Sequence, residues 1–262
     1  MCHNVLLNLI LTTLNLSTMK CFSKKGYLFV ALFGLSSFCT IDAQDEVSID
    51  LGADVVSSYV WRGGKAAGLS VQPKLGASYG DLSLTAWGST DLATGTGGGY
   101  KEVDFTLGYS VGGVSLALTD YWWDGEGAYR YFSSPNGGAG HLVEGTVGYS
   151  LPGSFPLTAS WNTFFLGSGN KDGNGDNTFS TYVELSYPFS VKDVEMGVAA
   201  GFTPWESAVY GTDGFKFTNV MLSAKKGIKF SDSFTLPIFT SVVFNPYVED
   251  VHFVFGFNLS VN

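Results

Sequence analysis

The fold is decided by the last stretch of the chain, which reads Val251-His252-Phe253-Val254-Phe255-Gly256-Phe257-Asn258-Leu259-Ser260-Val261-Asn262. Every second residue from Val251 is apolar, and those between are mostly small or polar. Successive strand residues point to opposite faces, so this strand has one apolar face and one mixed face. A transmembrane β-barrel needs this pattern in every strand, with lipid on one side and a lumen on the other. We therefore expect this strand to pair with the first one and close a barrel.

The same alternation with a period of two runs through the chain from residue 44 and predicts an all-β fold. It is clearest where Val103, Phe105 and Leu107 alternate with the carboxylates Glu102 and Asp104. We expect a transmembrane antiparallel barrel of about 12 strands, arranged as an up-and-down meander. The apolar faces of the twelve segments begin at Val47, Leu69, Leu82, Val103, Val114, Val143, Leu157, Phe179, Val194, Phe215, Phe234 and Val251.

Two of these segments depart from simple alternation. In the tenth, Phe215 and Phe217 have one parity and Val220 and Leu222 the other, which a β-bulge would produce. In the eleventh, Pro237 removes one hydrogen-bond donor from the ladder and weakens the strand prediction.

The composition favours a barrel over a helical membrane protein or a soluble domain. Charged residues make up 14% of the chain and aromatic residues 15%, whereas soluble domains carry about 25% charged residues. After residue 43, no apolar run approaches the ~20 residues that a membrane helix requires. A soluble β-sandwich or lipocalin-like binder would have a charged outer face, but here the face opposite the carboxylates is apolar.

The N-terminal segment has the pattern of an export signal. Lys20, Lys24 and Lys25 precede an apolar run, and a cleavage site is expected after Ala43. We predict a leader with a cleaved signal peptide over residues 1–43, with Met19 as the true start, and a barrel over residues 44–262. All three cysteines lie before residue 44, so the mature chain has no thiol chemistry and no disulfide framework.

The mature chain is strongly acidic, and its charges fall on the predicted luminal face. Loss of Lys20, Lys24, Lys25 and Asp42 leaves 11 basic and 22 acidic residues, a net charge of −11. Nucleic acid is an unsuitable partner for such a surface. An acidic lumen attracts cations; the alternative is a closed lumen of paired charges. The pore-lining candidates are Asp50, Asp54, Arg62, Lys74, Glu102, Asp104, Glu144, Glu184, Glu195 and Lys216.

The connections between strands alternate in length, as they do in outer-membrane barrels. Short turns are expected at 80–81, 110–113, 150–156, 188–193 and 225–233, and longer loops at the other rim. An aromatic belt at the membrane–water boundary is expected beside the short turns; the alternative is that tyrosine simply favours strands. The four belt candidates are Tyr79, Tyr109, Tyr149 and Tyr187.

No motif predicts a catalytic residue, a cofactor or a metal. The loop from Lys171 to Asn177 has oxygen-bearing residues at alternate positions, but Asn177 and Val183 stand where an EF-hand needs glycine and glutamate. We interpret it as a surface loop, with weak calcium contact as the alternative. His141 and His252 lack the neighbouring serine that an acyl hydrolase requires.

The segment Ser57-Ser58-Tyr59-Val60-Trp61-Arg62-Gly63 resembles the Ser-x-Tyr-hydrophobic-aromatic-Arg-Gly segment of TorF-type porins, which are small outer-membrane barrels of Gram-negative bacteria. The stretch 235–246 is similar to small barrels of the Bacteroidetes type. The resemblance implies that Arg62 and Gly63 have a structural role at the first loop, and it brings no catalytic residues. Asn262 departs from the aromatic ending that most such barrels have.

These observations predict an outer-membrane channel for small polar solutes or cations, embedded in outer-membrane lipid and inserted by the barrel assembly machinery. A sealed structural or adhesion barrel is the alternative, and an outer-membrane enzyme that modifies lipid is a third.

Overall fold

The computed structural model describes residues 46–92, 99–123, 131–132, 140–232 and 234–261. The predicted leader lies outside these residues. The strands are β1 (Ser48–Val56), β2 (Tyr59–Trp61), β3 (Gly64–Ala67), β4 (Ser70–Tyr79), β5 (Leu82–Asp91), β6 (Lys101–Val111), β7 (Val114–Trp123), β8 (His141–Ser150), β9 (Thr158–Gly167), β10 (Thr181–Val191), β11 (Val194–Thr203), β12 (Glu206–Ser207), β13 (Thr212–Asp213), β14 (Lys216–Ser231), β15 (Phe234–Asn245) and β16 (Asp250–Val261).

Twelve of these strands form a closed antiparallel barrel. Each pairs with the next along the chain, in the order β1, β4, β5, β6, β7, β8, β9, β10, β11, β14, β15 and β16. The last strand pairs with the first, with Val55 opposite Phe257 and Ala53 opposite Leu259. The predicted strand number, meander and closure are confirmed. No helix in the described part of the chain is long and apolar enough to span a membrane.

The barrel wall has an apolar outer face. Phe253 is 73% exposed, Leu84 55% and Phe255 54%, and all three have outward parity. A soluble protein rarely exposes contiguous apolar surface of more than a few hundred Å², whereas lipid is a favourable solvent for such a face. Many inward positions carry polar, charged or small residues, as a transmembrane barrel with a lumen requires, whereas large rings such as Phe164 and Tyr182 face inward near the long loops.

The wall has two irregularities that re-aim side chains. Between β11 and β14 the register shifts at Gly201 and Phe202, so Thr218 forms the bulge that the parity change predicted. Between β8 and β9 a second shift makes Phe165 the extra residue, so that Leu166 stands opposite Val143. Phe164 lies before this bulge, has the inward parity of Asn162 and stands opposite Glu144.

The short turns lie at one rim, as predicted, but three of them are shorter than expected. β14 continues to Ser231, β10 to Val191 and β6 to Val111, so the predicted turns over 225–233, 188–193 and 110–113 were too long. The lysines of β14 and Pro188 looked like turn residues, yet Ile228 still pairs with Leu236 and Pro188 with Gly197.

Two of the loops at the opposite rim contain strands of their own. β2 and β3 form a hairpin between β1 and β4, and β12 pairs with β13 between β11 and β14. The first of these hairpins builds the site described next.

Candidate functional site in the barrel interior

The β2–β3 hairpin reaches across the interior of the barrel. Its turn is Arg62-Gly63, with φ of 48° and 88°, and Trp61 pairs with Gly64 across it. Two central residues with positive φ match the type I′ turn, whose twist suits a two-residue hairpin. Although the hairpin leaves the wall between β1 and β4, its tip contacts β8 on one side and β14 and β15 on another.

Gly63 is fixed against the far wall. A Cβ at this position would lie 1.7 Å from the backbone oxygen of Thr218, so any side chain would prevent the approach. The carbonyl of Gly63 also accepts a hydrogen bond from Asn245 Nδ2 at 3.2 Å. The bulge at Thr218 and the turn at Gly63 are therefore complementary surfaces.

Arg62 forms a buried ion pair with Glu144 on β8. Nη1 lies 2.5 Å from Oε2 and Nη2 lies 2.9 Å from Oε1, which is the two-pronged geometry of a strong arginine–carboxylate pair. The side chains are 13% and 1% exposed. Tyr121 Oη donates to Glu144 Oε1 at 3.1 Å, and Arg62 Nη1 donates to Tyr210 Oη. The pair is thus held by donors from the wall and from a second loop.

Aromatic rings surround the guanidinium group. Arg62 Cζ lies 4.6 Å from the ring centre of Trp61 and 4.8 Å from that of Tyr182, distances at which a cation is attracted to the ring face. Trp61 stacks on Tyr210 at 5.5 Å, and Phe164 is fully buried beneath them. A cavity of about 250 Å³ adjoins this cluster and is lined by residues that include Trp61, Arg62, Lys65, Tyr100, Trp123 and Tyr210.

A second carboxylate cluster lies on β6. Glu102 and Asp104 face inward and are 1% and 7% exposed. Tyr100 Oη donates to Glu102 at 3.0 Å, and Trp123 Nε1 donates to the other oxygen of the same carboxylate. Asp104 Oδ1 is buried with no hydrogen-bond partner.

The interior near the short turns has a different character. Lys74 bonds to Asp50, and these side chains are 47% and 58% exposed. Asn258 Nδ2 donates to Asp54 Oδ1 at 2.7 Å. Because these charged side chains face inward and remain so exposed, they lie next to open space. This half of the barrel is therefore accessible to water.

The other sequence candidates lie apart from these clusters. Glu184 accepts hydrogen bonds from Tyr182 Oη at 2.5 Å and from Asn219 Nδ2 at 3.2 Å. Glu195 is exposed and stands opposite Lys225. Lys216 pairs with Asp213 at 3.0 Å at the long-loop rim. The tyrosines of the predicted belt lie at the short-turn ends of β4, β6, β8 and β10, and their role at a membrane boundary remains a prediction.

The loop from Lys171 to Asn177 folds around one carboxylate. Asp172 Oδ1 accepts hydrogen bonds from the backbone N–H groups of Asn174 and Asp176, both at 2.9 Å. These bonds, that from Asp176 above all, hold the pKa of Asp172 below its ordinary value. In the described part of the chain, no group of three or more His, Cys, Asp or Glu residues is arranged to hold a metal.

His141 lies on the outer side of the barrel wall. Its Nδ1 is 3.0 Å from Asp120, and its Nε2 is 2.8 Å from the backbone oxygen of Tyr131. Both ring nitrogens are therefore engaged. His252, on β16, lies 3.5 Å from Asp250.

Sequence reasoning named Arg62, Glu102, Asp104 and Glu144 but missed the aromatic side chains that bury them. Tyr121 and Trp123 stand opposite Asp104 and Glu102, so continued alternation along β7 was the available signal for these two rings. Tyr59 and Tyr210 belong to the connections between wall strands, where alternation along the wall gives no indication. The Arg-Gly pair was the available signal, since a glycine after a bulky residue between aromatic residues suits a tight hairpin turn.

No family model matches this chain, and no curated protein matches it. Among solved structures, the chain is similar to "KdgM porin" at 7% sequence identity and a TM-score of 0.43, covering 83% of this chain and 100% of the other. "KdgM porin in complex with disordered oligogalacturonate" gives 7%, a TM-score of 0.44 and the same coverage. "Salmonella typhi OmpF complex with Daunomycin" gives 8% and 0.36, covering 83% and 98%.

Proposed function

We propose that this protein is an outer-membrane channel of the porin type for small polar solutes, with a preference for cations. The observation that carries the proposal is the closed transmembrane barrel with a polar, acidic interior, which is open to water around Asp50 and Lys74. The β2–β3 hairpin would form the narrow part of the path, because it crosses the interior from the long-loop rim.

The preference for cations rests on the charges that face the interior. Carboxylates outnumber bases there; Arg62 and Lys74 are each paired with a carboxylate, and Lys225 stands opposite Glu195. A surplus of negative charge inside a low-dielectric wall raises the local concentration of cations and repels anions. The carboxylates in question are Asp50, Asp54, Glu102, Asp104, Glu144, Glu184 and Glu195.

A sealed barrel is the second candidate, and a specific observation favours it. The half of the interior near the long loops is filled by the hairpin and by buried rings, including Phe164 and Tyr182. Twelve strands lie between eight-stranded barrels, which side chains fill, and 16-stranded barrels, which hold aqueous channels. In a sealed barrel the external loops would carry the function, for example adhesion.

We further propose that the chain is exported with a signal peptide cleaved near Ala43 and inserted by the barrel assembly machinery into outer-membrane lipid. The apolar outer face supports this location. A lipid-modifying activity is not proposed, since both nitrogens of His141 are engaged by Asp120 and Tyr131 and none is left to activate a hydroxyl group.

Conductance of the refolded protein in a planar bilayer tests the proposal. We expect discrete steps, and a reversal potential in a salt gradient that has the sign of cation preference. A variant without residues 58–68 should give larger steps, because the hairpin no longer narrows the path. Lys171→Ala, on a loop outside the hairpin and the barrel interior, is the control and should conduct like the parent. A heat-modifiable, inserted barrel that stays silent even without the hairpin would rule out the channel.

A further inference from the structure

We propose that Glu102 and Asp104 on β6, together with the phenol oxygens of Tyr59 and Tyr100, form a binding site for one alkali cation inside the barrel wall. The proposal goes beyond conduction, because a sealed barrel would hold the cation equally well. It rests on the placement of the two carboxyl groups, on the unpartnered oxygen of Asp104 and on the finding that no base in the described part of the chain pairs with either carboxylate.

The two carboxyl groups share one face of one strand and are removed from water. Residues two apart in a strand point to the same side, and Glu102 and Asp104 lie within hydrogen-bonding contact of each other. Two adjacent carboxylates in a low-dielectric site repel strongly unless a proton or a cation lies between them. The arrangement therefore requires a positive partner.

The protein supplies too few donors of its own to this cluster. Glu102 receives hydrogen bonds from Tyr100 Oη, Trp123 Nε1 and the Tyr59 phenol. The Asp104 carboxyl group is reached by the backbone N–H of Trp122 and by Glu102, but its Oδ1 atom is buried with no hydrogen-bond partner, and the residue is 7% exposed. An unpaired buried carboxylate oxygen is costly, and a bound cation would satisfy it.

Among the described residues, no basic side chain forms an ion pair with this cluster: Lys65 lines the cavity beside Tyr100 and Trp123 without pairing to either carboxylate, and two other luminal bases have partners of their own. Arg62 is paired with Glu144. Lys74 lies in the same cross-strand row as Asp104, but Trp87 stands between them, and Lys74 bonds to Asp50 instead. A cation from solution is thus the positive partner that remains for these two carboxyl groups.

The surroundings suit an alkali cation. Oxygen atoms of carboxyl and phenol groups are hard ligands, and hard cations prefer them. Tyr59 packs at 5.5 Å from Trp87 and 6.1 Å from Tyr100, so aromatic rings cover the cluster and attract positive charge through their faces. Because Tyr59 belongs to the β2 segment, a cation here would also bind the hairpin to the wall.

The test is the unfolding midpoint of the whole barrel in detergent micelles, measured in sodium chloride, potassium chloride and N-methyl-D-glucamine chloride at equal ionic strength. A ligand that binds the folded state alone raises the midpoint with its concentration. We expect a higher midpoint in the two alkali salts, rising with concentration, and no such difference in Asp104→Asn. Asp50→Asn, which alters an exposed luminal carboxylate, should keep the full dependence.

Three results would overturn the site: equal midpoints in all three salts, an unchanged salt dependence in Asp104→Asn, or a loss of dependence in Asp50→Asn as well. Equal midpoints together with a more stable Asp104→Asn variant would mean that the pair shares a proton. If the variant does not fold, sodium NMR of the parent still decides. Line broadening that potassium chloride reverses and N-methyl-D-glucamine chloride does not supports the site, and its absence contradicts it. Neither result depends on conductance.

Discussion

The two halves of the barrel interior use the same kind of ion pair in opposite environments. Near the long loops, Arg62 and Glu144 meet in two-pronged geometry under a cover of aromatic rings. Near the short turns, Lys74 and Asp50 meet while about half of each side chain remains exposed. The residue types alone therefore do not determine what a luminal ion pair contributes. The buried pair of Arg62 and Glu144 links the hairpin to the wall, whereas the exposed pair of Lys74 and Asp50 forms part of the luminal surface.

Removal of one partner from each pair is the strongest test of this contrast. Glu144→Ala leaves a buried guanidinium without its carboxylate, a change that costs about 3–5 kcal/mol. Asp50→Ala breaks an exposed pair and should cost about 0–1 kcal/mol. The free energy of unfolding, from urea titration of the refolded barrel followed by tryptophan fluorescence, measures both. Equal losses in the two variants would show that the long-loop half is as hydrated as the other.

Two glycines with the same backbone conformation test whether the hairpin tip is held by its surroundings. Gly63 and Gly175 have φ of 88° and 87°, but a Cβ on Gly63 would meet the Thr218 carbonyl, whereas nothing lies within 4 Å of Gly175. Both alanine variants carry the strain of a left-handed residue, about 1–2 kcal/mol.

We expect Gly63→Ala to lose more unfolding free energy than Gly175→Ala and to raise single-channel conductance, because the tip can no longer dock. Gly175→Ala should conduct like the parent. If both variants conduct alike, the hairpin does not limit the path.

A charge reversal in the open half should change selectivity with little effect on stability. Asp50→Lys replaces a luminal negative charge by a positive one at an exposed position, so the reversal potential should move toward anions. The unfolding free energy should change by about 0.5 kcal/mol or less, as for other exposed sites. Lys171→Glu, on an external loop, is the control and should leave the reversal potential in place. A large loss of stability in Asp50→Lys would mean that this half is packed.

The smallest expected effect concerns a carboxylate outside the barrel, where hydrogen bonds replace burial. The pKa of Asp172 is lowered by backbone N–H groups, so its folded value lies below the ordinary value of about 3.9. A lowered pKa stabilises the loop above the unfolded value, and this stabilisation disappears as the pH falls through the folded value.

The carboxyl NMR signal of Asp172 should therefore titrate at a lower pH than in an unfolded peptide of the same sequence. Coincident titrations in protein and peptide would contradict the hydrogen-bonded loop.

The wall of the barrel could be predicted from the sequence because it obeys a local rule. Alternation along each strand is set by lipid on one side and polar groups on the other. That rule gave the twelve strands, the closure of β16 on β1 and the bulge before Val220, all of which are confirmed. The rule failed at Lys225–Ser231, where the polar residues predicted a turn. In the structure these residues stay hydrogen-bonded in the sheet as the end of β14.

The interior site could be predicted only in part, since it depends on contacts between distant segments. Strand parity placed Glu102, Asp104 and Glu144 inside. The ion pair between Arg62 and Glu144 joins residues 82 positions apart, and no local pattern encodes that distance. Phe164 was assigned to no face: it has the inward parity of Asn162, but a large apolar ring is not expected on the polar face of a strand.

The seat of Gly63 has a consequence for the order in which the molecule is built. The hairpin lies near the beginning of the barrel sequence, yet Thr218 and Asn245, which receive its tip, belong to β14 and β15 near the end. Asn245 is 182 positions away from Gly63. The tip can dock only on a seat that exists, so its docking requires that β14 and β15 have already joined the wall. We therefore expect the first hairpin to make some of the last contacts to form, since contacts of high sequence separation carry a large loop-closure cost.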